Sequence, residues 1–155
     1  MPLFFEDLEA FTEGQELVTP ARTVTEADVV SFAAWTGDSN PIHTDAVFAA
    51  QGRFGERIAH GALGLSLAIG LIARTGAFEG SAVALLGVDG WRFTAPIRFG
   101  DTVHARVTVV GTRLTSRGDA GVVARHVRLL DQDDALAQEG RLDVLVRTRA
   151  AAGAV

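Results

Sequence analysis

The feature that most constrains this chain is an apolar run from Gly61 to Ala73 that contains no charged side chain. The run is apolar on every face of a helix, and such a helix is either buried in a core or spans a membrane. At 1.5 Å per residue it would be about 20 Å long, whereas crossing a bilayer takes about 20 residues. We therefore predict a central, buried helix. Gly64 and Gly70 weaken helices, so we expect a neighbouring backbone to approach closely at both.

After residue 80 the apolar residues recur with a period of two, which is typical of β-strands. Four strand-like runs follow one another, at 83–93, 102–112, 122–130 and 136–147. Asp131–Asp134 joins the last two runs as a hairpin turn that lacks the favoured glycine. One buried helix followed by four antiparallel strands must pack against one face of the sheet. This predicts an α+β fold of the hotdog type, with a long central helix wrapped by a curled antiparallel sheet.

The first half of the chain has helix boundaries rather than strand patterns. Thr25 followed by an acidic turn predicts the start of a short helix over 26–36, and Gly37 predicts its end. Turn-forming residues fill 38–43, so we expect a loop there. Asp45 could cap another short helix that runs through residue 50.

Composition limits the classes of function. The absence of cysteine excludes disulfides, thiolate metal sites and a cysteine nucleophile. A net charge of −5 argues against a nucleic-acid partner. The first seven residues lack the basic start and apolar run of a signal peptide, so we predict a cytoplasmic protein without a membrane partner. A length of 155 residues fits a single domain, which we place at 1–149, with a frayed tail at 150–155.

The loop after the first helix carries two residues suited to acid–base chemistry. Asp38 and His43 lie five residues apart across an Asn-Pro turn, so both side chains can face one point. A carboxylate and an imidazole that share a water form a plausible acid–base pair. On spacing alone, we favour the simpler explanation, a turn aspartate that caps a backbone N–H and a histidine in solvent.

The start of the apolar helix is a second candidate site. Gly61 opens the helix, where its backbone N–H has no partner within the helix and the helix dipole adds partial positive charge. Such a donor suits the negative charge that develops on the oxygen of a thioester enolate. The simpler alternative is that Gly61 only begins the helix. For His60 we favour the simpler interpretation, a cap or loop side chain.

These two segments resemble the MaoC-like dehydratases, which include the (R)-specific enoyl-CoA hydratases. The family's Gly-Asp-x-Asn-Pro-[Ile/Leu]-His-x-Asp run is matched from Gly37 to Asp45, and its [Ile/Val]-x-His-Gly-x-Leu run from Ile58 to Leu63. The resemblance implies a set of site residues: a catalytic dyad of Asp38 and His43, an oxyanion hole at Gly61, a supporting Asn40, and Ser66 near the thioester. For Ser66 the alternative is a hydroxyl bonded to a carbonyl one turn earlier.

The resemblance implies reversible hydration of a trans-2-enoyl thioester to an (R)-3-hydroxyacyl thioester, with coenzyme A as the expected carrier. The implied reaction requires no metal or organic cofactor. The resemblance also implies a homodimer or higher homo-oligomer, and strand 142–146 could contribute an edge to its interface. A hotdog thioesterase is a second hypothesis, although residues 61–73 contain no Asp or Glu to act as its catalytic carboxylate. A non-catalytic subunit that binds acyl thioesters is a third hypothesis.

Overall fold

The fold is described from a computed structural model, in which residues 1–11 and 15–153 are placed. The helices are α1 (Phe5–Glu9), α2 (Glu26–Thr36), α3 (Pro41–Thr44), α4 (Ala46–Ala50), α5 (Gly61–Arg74) and α6 (Arg149–Ala152). The strands are β1 (Glu16–Val18), β2 (Arg22–Thr23), β3 (Ala82–Phe93), β4 (Thr102–Leu114), β5 (Ala120–Leu130) and β6 (Leu136–Arg147).

The strands form one antiparallel sheet in the order β1-β4-β5-β6-β3, and β2 pairs with β4 beside β1. Helix α5 packs on this sheet, and its buried side chains join residues of β4, β5 and β6 in one core. The α+β prediction is confirmed. The expectation that 142–146 contributes an edge is wrong, because β6 is paired on both sides and β3 is an edge strand of the sheet.

One face of α5 is buried, and the other is not. Leu63, Leu67 and Leu71 are buried in the core, whereas Ile69 is 37% exposed and Gly70 lies in solvent. The prediction of burial on every face is therefore wrong for the single chain, because the sheet covers only one side of the helix. The backbone approach predicted at Gly64 and Gly70 is wrong: the Gln138 side chain, rather than a backbone, occupies the space of a Cβ at Gly64, and nothing lies within 4 Å of a Cβ at Gly70.

Helix α2 begins and ends where the sequence predicts. Thr25 and Asp28 form a reciprocal capping box, and Gly37 ends the helix in the left-handed region at φ 80°. Burial opposes the charge on Asp28, but hydrogen bonds from Thr25 and the nearby guanidinium of Arg22 outweigh it and hold the pKa of Asp28 below its usual value. The Gly37 cap at the other end of α2 fixes the chain direction just before Asp38.

Two further expectations concern the C-terminal half. The turn between β5 and β6 is confirmed, with Asp134 at φ 59° in the position where glycine is favoured. Residues 150–152 of the predicted tail belong to the short helix α6, which begins at Arg149, while 154–155 lie outside the described residues. Within the described ranges, no helix is long and apolar enough to cross a membrane.

Candidate active site

A single helical turn, rather than the loop predicted from the sequence, presents His43. Asn40 caps α3 by accepting a hydrogen bond from the Ile42 N–H at 3.2 Å, and Pro41 occupies the first helical position. The prediction of an open loop over 38–43 is wrong at its end, because this cap and proline together stabilise a turn of helix. His43 therefore projects from a defined backbone rather than from a flexible loop.

The His43 ring is oriented by a backbone carbonyl. Its Nδ1 lies 2.7 Å from the oxygen of Ile58, and a carbonyl can only accept, so Nδ1 carries the proton. Ile58 is itself held by a bridge to Arg98 beyond β3. In the neutral ring this tautomer leaves Nε2 with the free lone pair, which is the state that a general base requires.

His60 joins the two residues of the predicted dyad. Its ring is 2% exposed, stacks on His43 at a centroid distance of 3.8 Å, and donates from Nε2 to the Asp38 carbonyl at 2.9 Å. Its side chain makes no capping bond to α5, and its Nδ1 has no hydrogen-bond partner among the described residues. His60 occupies the N-cap position of α5, as the sequence interpretation allowed, but its side chain joins this cluster instead of capping the helix. The sequence signal for it was its position directly before Gly61.

Asp38 keeps its carboxylate accessible beside this pair of rings. The side chain is 56% exposed, its Oδ1 accepts from the Asn40 N–H at 3.3 Å, and its Oδ2 lies 4.0 Å from His60 Nε2. One polar atom from each of Asp38, His43 and His60 falls within 4.8 Å of the others. The structure thus brings the two predicted dyad residues together, with His60 as a third member of the cluster.

The cluster suits proton transfer better than metal binding. A zinc site needs imidazole lone pairs that converge on one point. Here the two imidazole rings are stacked, and each already donates one N–H to a backbone carbonyl. The absence of a metal cofactor stays a prediction.

Gly61 and His43 line the same cavity, which has a volume of about 370 Å³. The Gly61 N–H begins α5 and has no acceptor in the described part of the chain, so it is free to donate into this space. A Cβ at Gly61 would lie 3.0 Å from the ring of Phe93, so glycine lets this ring approach the helix start. Asp38 lies beside the cavity rather than in its wall.

The structure does not bring Ser66 into this cluster. Its hydroxyl donates to the Ala62 carbonyl at 2.9 Å, as in the alternative considered from the sequence, and the residue is exposed on α5. Its substrate-binding role stays a prediction.

Two further residues of the cavity wall were missed by sequence reasoning. Arg53 lies in the wall with an exposed side chain, and nothing in its charged loop distinguishes it from its neighbours. Gln138 lies in the wall with 2% of its surface exposed. The alternating pattern of β6 could have indicated it, because Gln138 occupies the same set of inward-facing positions as Leu142, Val144 and Val146.

A helix that opens beside an aspartate and two stacked histidines, on an antiparallel sheet, defines a hotdog protein with an acid–base site at a small cavity. The family profile described as a MaoC-like domain matches residues 9–129. Because this match covers more than half of the chain, the protein belongs to the MaoC-like family, and the resemblance drawn from the two motifs is confirmed.

Two relatives illustrate the similarity in sequence. The chain is 40% identical over 105 residues to the protein named MaoC from Klebsiella aerogenes, covering 68% of this chain but only 30% of that protein. It is 37% identical over 108 residues to a protein named (R)-specific enoyl-CoA hydratase from Rhodospirillum rubrum, covering 70% of each.

Two solved structures are similar in fold. A protein from Archaeoglobus described as a monoamine oxidase regulatory protein superposes with a TM-score of 0.84 at 33% identity, over 95% of both chains. A Mycobacterium tuberculosis protein described as a double hotdog fold superposes with a TM-score of 0.81 at 22% identity, over 95% of this chain and 44% of that one. The second likeness concerns the fold alone. The hotdog prediction is confirmed.

Proposed function

We propose that this protein reversibly hydrates trans-2-enoyl thioesters to (R)-3-hydroxyacyl thioesters. The observation that carries the proposal is the His43 ring, whose Nδ1 donates to the Ile58 carbonyl and so leaves the Nε2 lone pair free, in a cluster with Asp38 and at a cavity that Gly61 also lines. The (R) configuration is taken from the name of the Rhodospirillum relative.

Within this proposal, His43 transfers the proton and Asp38 positions the water. A water positioned by the Asp38 carboxylate loses one proton to His43 Nε2, and its oxygen bonds to the β-carbon. The electron pair of the double bond moves to the thioester oxygen, which accepts a hydrogen bond from the Gly61 N–H. His43 then returns its proton to the α-carbon on the same face, which gives syn addition and restores the neutral ring. Asn40 supports this step by capping α3 and bonding Asp38.

Coenzyme A is the carrier that we propose. A coenzyme A thioester places phosphates outside the cavity, and Arg53 supplies a positive charge at the cavity wall. In the described residues Arg53 has no carboxylate partner, whereas Arg57 pairs with Glu26 and Arg98 pairs with Glu56. We also propose that the reaction takes place in the cytoplasm.

We also propose that two copies pair through β3. This edge strand is exposed along its length, and its first seven residues, 82–88, carry no charge. An apolar edge with unpaired backbone groups is completed by a second strand. A second copy offers the same edge, in the two-fold arrangement that most homodimers use.

An assay with crotonyl-CoA separates this function from the alternatives. Hydration removes the enoyl absorbance without releasing thiol, a thioesterase releases free thiol, and a binding subunit does neither while still binding the thioester. We expect loss of absorbance alone. Thiol release at the same rate would overturn the proposal, as would binding without turnover across enoyl chains of several lengths.

The dyad is tested by Asp38→Asn and His43→Ala. Each is expected to lower kcat at least about 100-fold, since a general acid–base group contributes about 10²–10⁴-fold. The double variant should be little slower than the slower single one, because the two residues act on one water. Thermal melting should fall by only a few degrees, since both residues lie outside the apolar core.

The matched control for this test is His126→Ala. His126→Ala also removes an imidazole with a polar partner, in this case Glu139 at 3.1 Å, but His126 lies on β5 outside the cavity wall. Its variant should keep the parent rate. A His43→Ala protein that hydrates crotonyl-CoA as fast as His126→Ala would refute the assignment of His43.

A further inference from the structure

Gln138 is a buried amide whose two ends are both bonded. Its Nε2 donates to the carbonyl of Gly61 at 3.1 Å, and its Oε1 accepts from the Trp91 indole N–H at 3.1 Å. The side chain is 2% exposed and lies in the wall of the cavity that Gly61 and His43 also line. A chain of two hydrogen bonds therefore runs from strand β3 through β6 to the first residue of α5.

The surrounding glycines make room for this chain of bonds. A Cβ at Gly64 would collide with Gln138 Nε2, and a Cβ at Gly140 would lie 2.7 Å from the Trp91 ring and backbone. The β3–β6 register shifts between Asp89 and Arg92, which places Trp91 at a bulge. Bulges redirect side chains next to functional sites.

An apolar side chain of similar volume would fill this space without needing the indole N–H. A buried amide costs free energy unless both of its ends are bonded, and it fixes the geometry of its partners when they are. The partner fixed here is the residue that we assign to the oxyanion hole. A Cβ at Gly61 would lie 3.0 Å from the Phe93 ring, so this ring also packs close to the start of α5.

We propose that Gln138, oriented by Trp91, is a positioning residue that sets the first turn of α5 so that the Gly61 N–H points at the substrate thioester oxygen. The inference rests on the proposed hydration, because it assigns a support to that oxyanion donor. Gln138 acts through Gly61 and takes no part in proton transfer. Its loss should therefore weaken stabilisation of the transition state more than binding of the substrate.

The test compares Gln138→Met and Trp91→Phe with the parent protein. Met keeps the length of the side chain without its amide, and Phe keeps an aromatic ring without the N–H. For Gln138→Met we expect kcat to fall about 10–100-fold, with KM within about threefold of the parent, the pattern of a lost transition-state interaction. For Trp91→Phe we expect a smaller fall of the same kind, about 3–10-fold.

The matched control is Gln132→Met. Gln132 also loses two amide hydrogen bonds, to the Thr102 N–H at 2.9 Å and to Asp101 at 3.3 Å, but it is exposed in the turn between β5 and β6. Its kcat and KM should match those of the parent. A fall in kcat as large as that of Gln138→Met would overturn the proposal, because any lost amide would then have the same effect.

A second measurement does not depend on turnover. The infrared stretch of a ¹³C-labelled thioester carbonyl in bound 3-hydroxybutyryl-CoA moves to lower frequency when the carbonyl accepts a strong hydrogen bond. We expect that shift to be reduced in Gln138→Met and Trp91→Phe and retained in Gln132→Met. A parent protein that shows the shift but no hydration would refute the proposed function while leaving the role of Gln138 testable.

Two further outcomes overturn the role of Gln138. One is a kcat and a carbonyl frequency in Gln138→Met that match the parent. The other concerns the case in which Gln138→Met does not fold. The proposal is then overturned if Trp91→Phe has the kcat and the carbonyl frequency of the parent.

Discussion

At the scale of residues, backbone carbonyls determine what the two imidazoles can do. The Ile58 oxygen fixes the His43 proton on Nδ1, and the Asp38 oxygen fixes that of His60 on Nε2. Each carbonyl thereby selects one tautomer, so the free lone pair of His43 is set by the fold rather than by a neighbouring carboxylate. The Asp38 side chain is left to contact water.

Arg53 provides a prediction about the carrier. Arg53→Met should raise KM for crotonyl-CoA about fivefold and leave kcat unchanged, because an exposed contact between a guanidinium and a phosphate contributes up to about 1 kcal/mol. The same variant should show no change with crotonyl-pantetheine, which lacks the nucleotide phosphates. Steady-state kinetics with both thioesters measures this difference.

The control for Arg53 is Arg117→Met, an exposed arginine in the turn before β5. Its KM values should equal those of the parent. An equal rise in KM for crotonyl-CoA and crotonyl-pantetheine in Arg53→Met would assign Arg53 to the pantetheine arm or the acyl group instead of the phosphates.

The candidate site could be predicted from sequence only where its residues are close in the chain. Asp38 and His43 are five residues apart, and one turn brings them together. Gln138 lies 77 residues beyond Gly61, and their contact depends on how β6 packs against α5. His60 was visible beside Gly61, but its stacking on His43 follows from the fold of the intervening loop.

At the scale of elements, the two glycines inside α5 have opposite surroundings. Gly64→Ala should lower the free energy of unfolding by about 1–3 kcal/mol, because its Cβ would force Gln138 out of its position. Gly70→Ala should raise it by up to about 1 kcal/mol, because it improves helix propensity where no described atom lies within 4 Å. Urea unfolding of the two variants measures the difference.

The pair serves as its own control, since both substitutions add one methyl group to the same helix. Stabilisation by Gly64→Ala would contradict the close packing of Gln138 on α5. Destabilisation by Gly70→Ala would show that a surface beyond the described chain, such as a second copy, packs there.

Long periodic elements could be predicted from sequence, and short ones could not. The apolar run predicted α5 to within one residue, and the period of two predicted β3–β6 to within two residues at each end. Helix α1 and strands β1 and β2 were missed, because two to five residues are too few to show a period. Strand order could not be predicted either, because β3 pairs with β6, the last strand of the chain, and not with β4, which follows it in the sequence.

At the scale of the whole molecule, β3 is a sheet edge that the single chain leaves unpaired. It pairs with β6 on one side and with no described strand on the other. Large apolar side chains along it are between 42% and 59% exposed, namely Val83, Leu85, Leu86, Val88 and Phe93. Natural edge strands usually carry charges that prevent pairing, and residues 82–88 carry none.

The proposed dimer yields the last prediction. Size-exclusion chromatography with light scattering should give twice the 16.3 kDa mass of one chain at micromolar concentration. Leu86→Glu should shift the mass toward one chain, because pairing of two β3 edges would bring a like charge from each copy into the interface. Leu114→Glu is the matched control, since Leu114 is 49% exposed on β4 against 50% for Leu86. A parent protein that is monomeric would refute pairing, and an equal loss of dimer in both variants would move the interface away from β3.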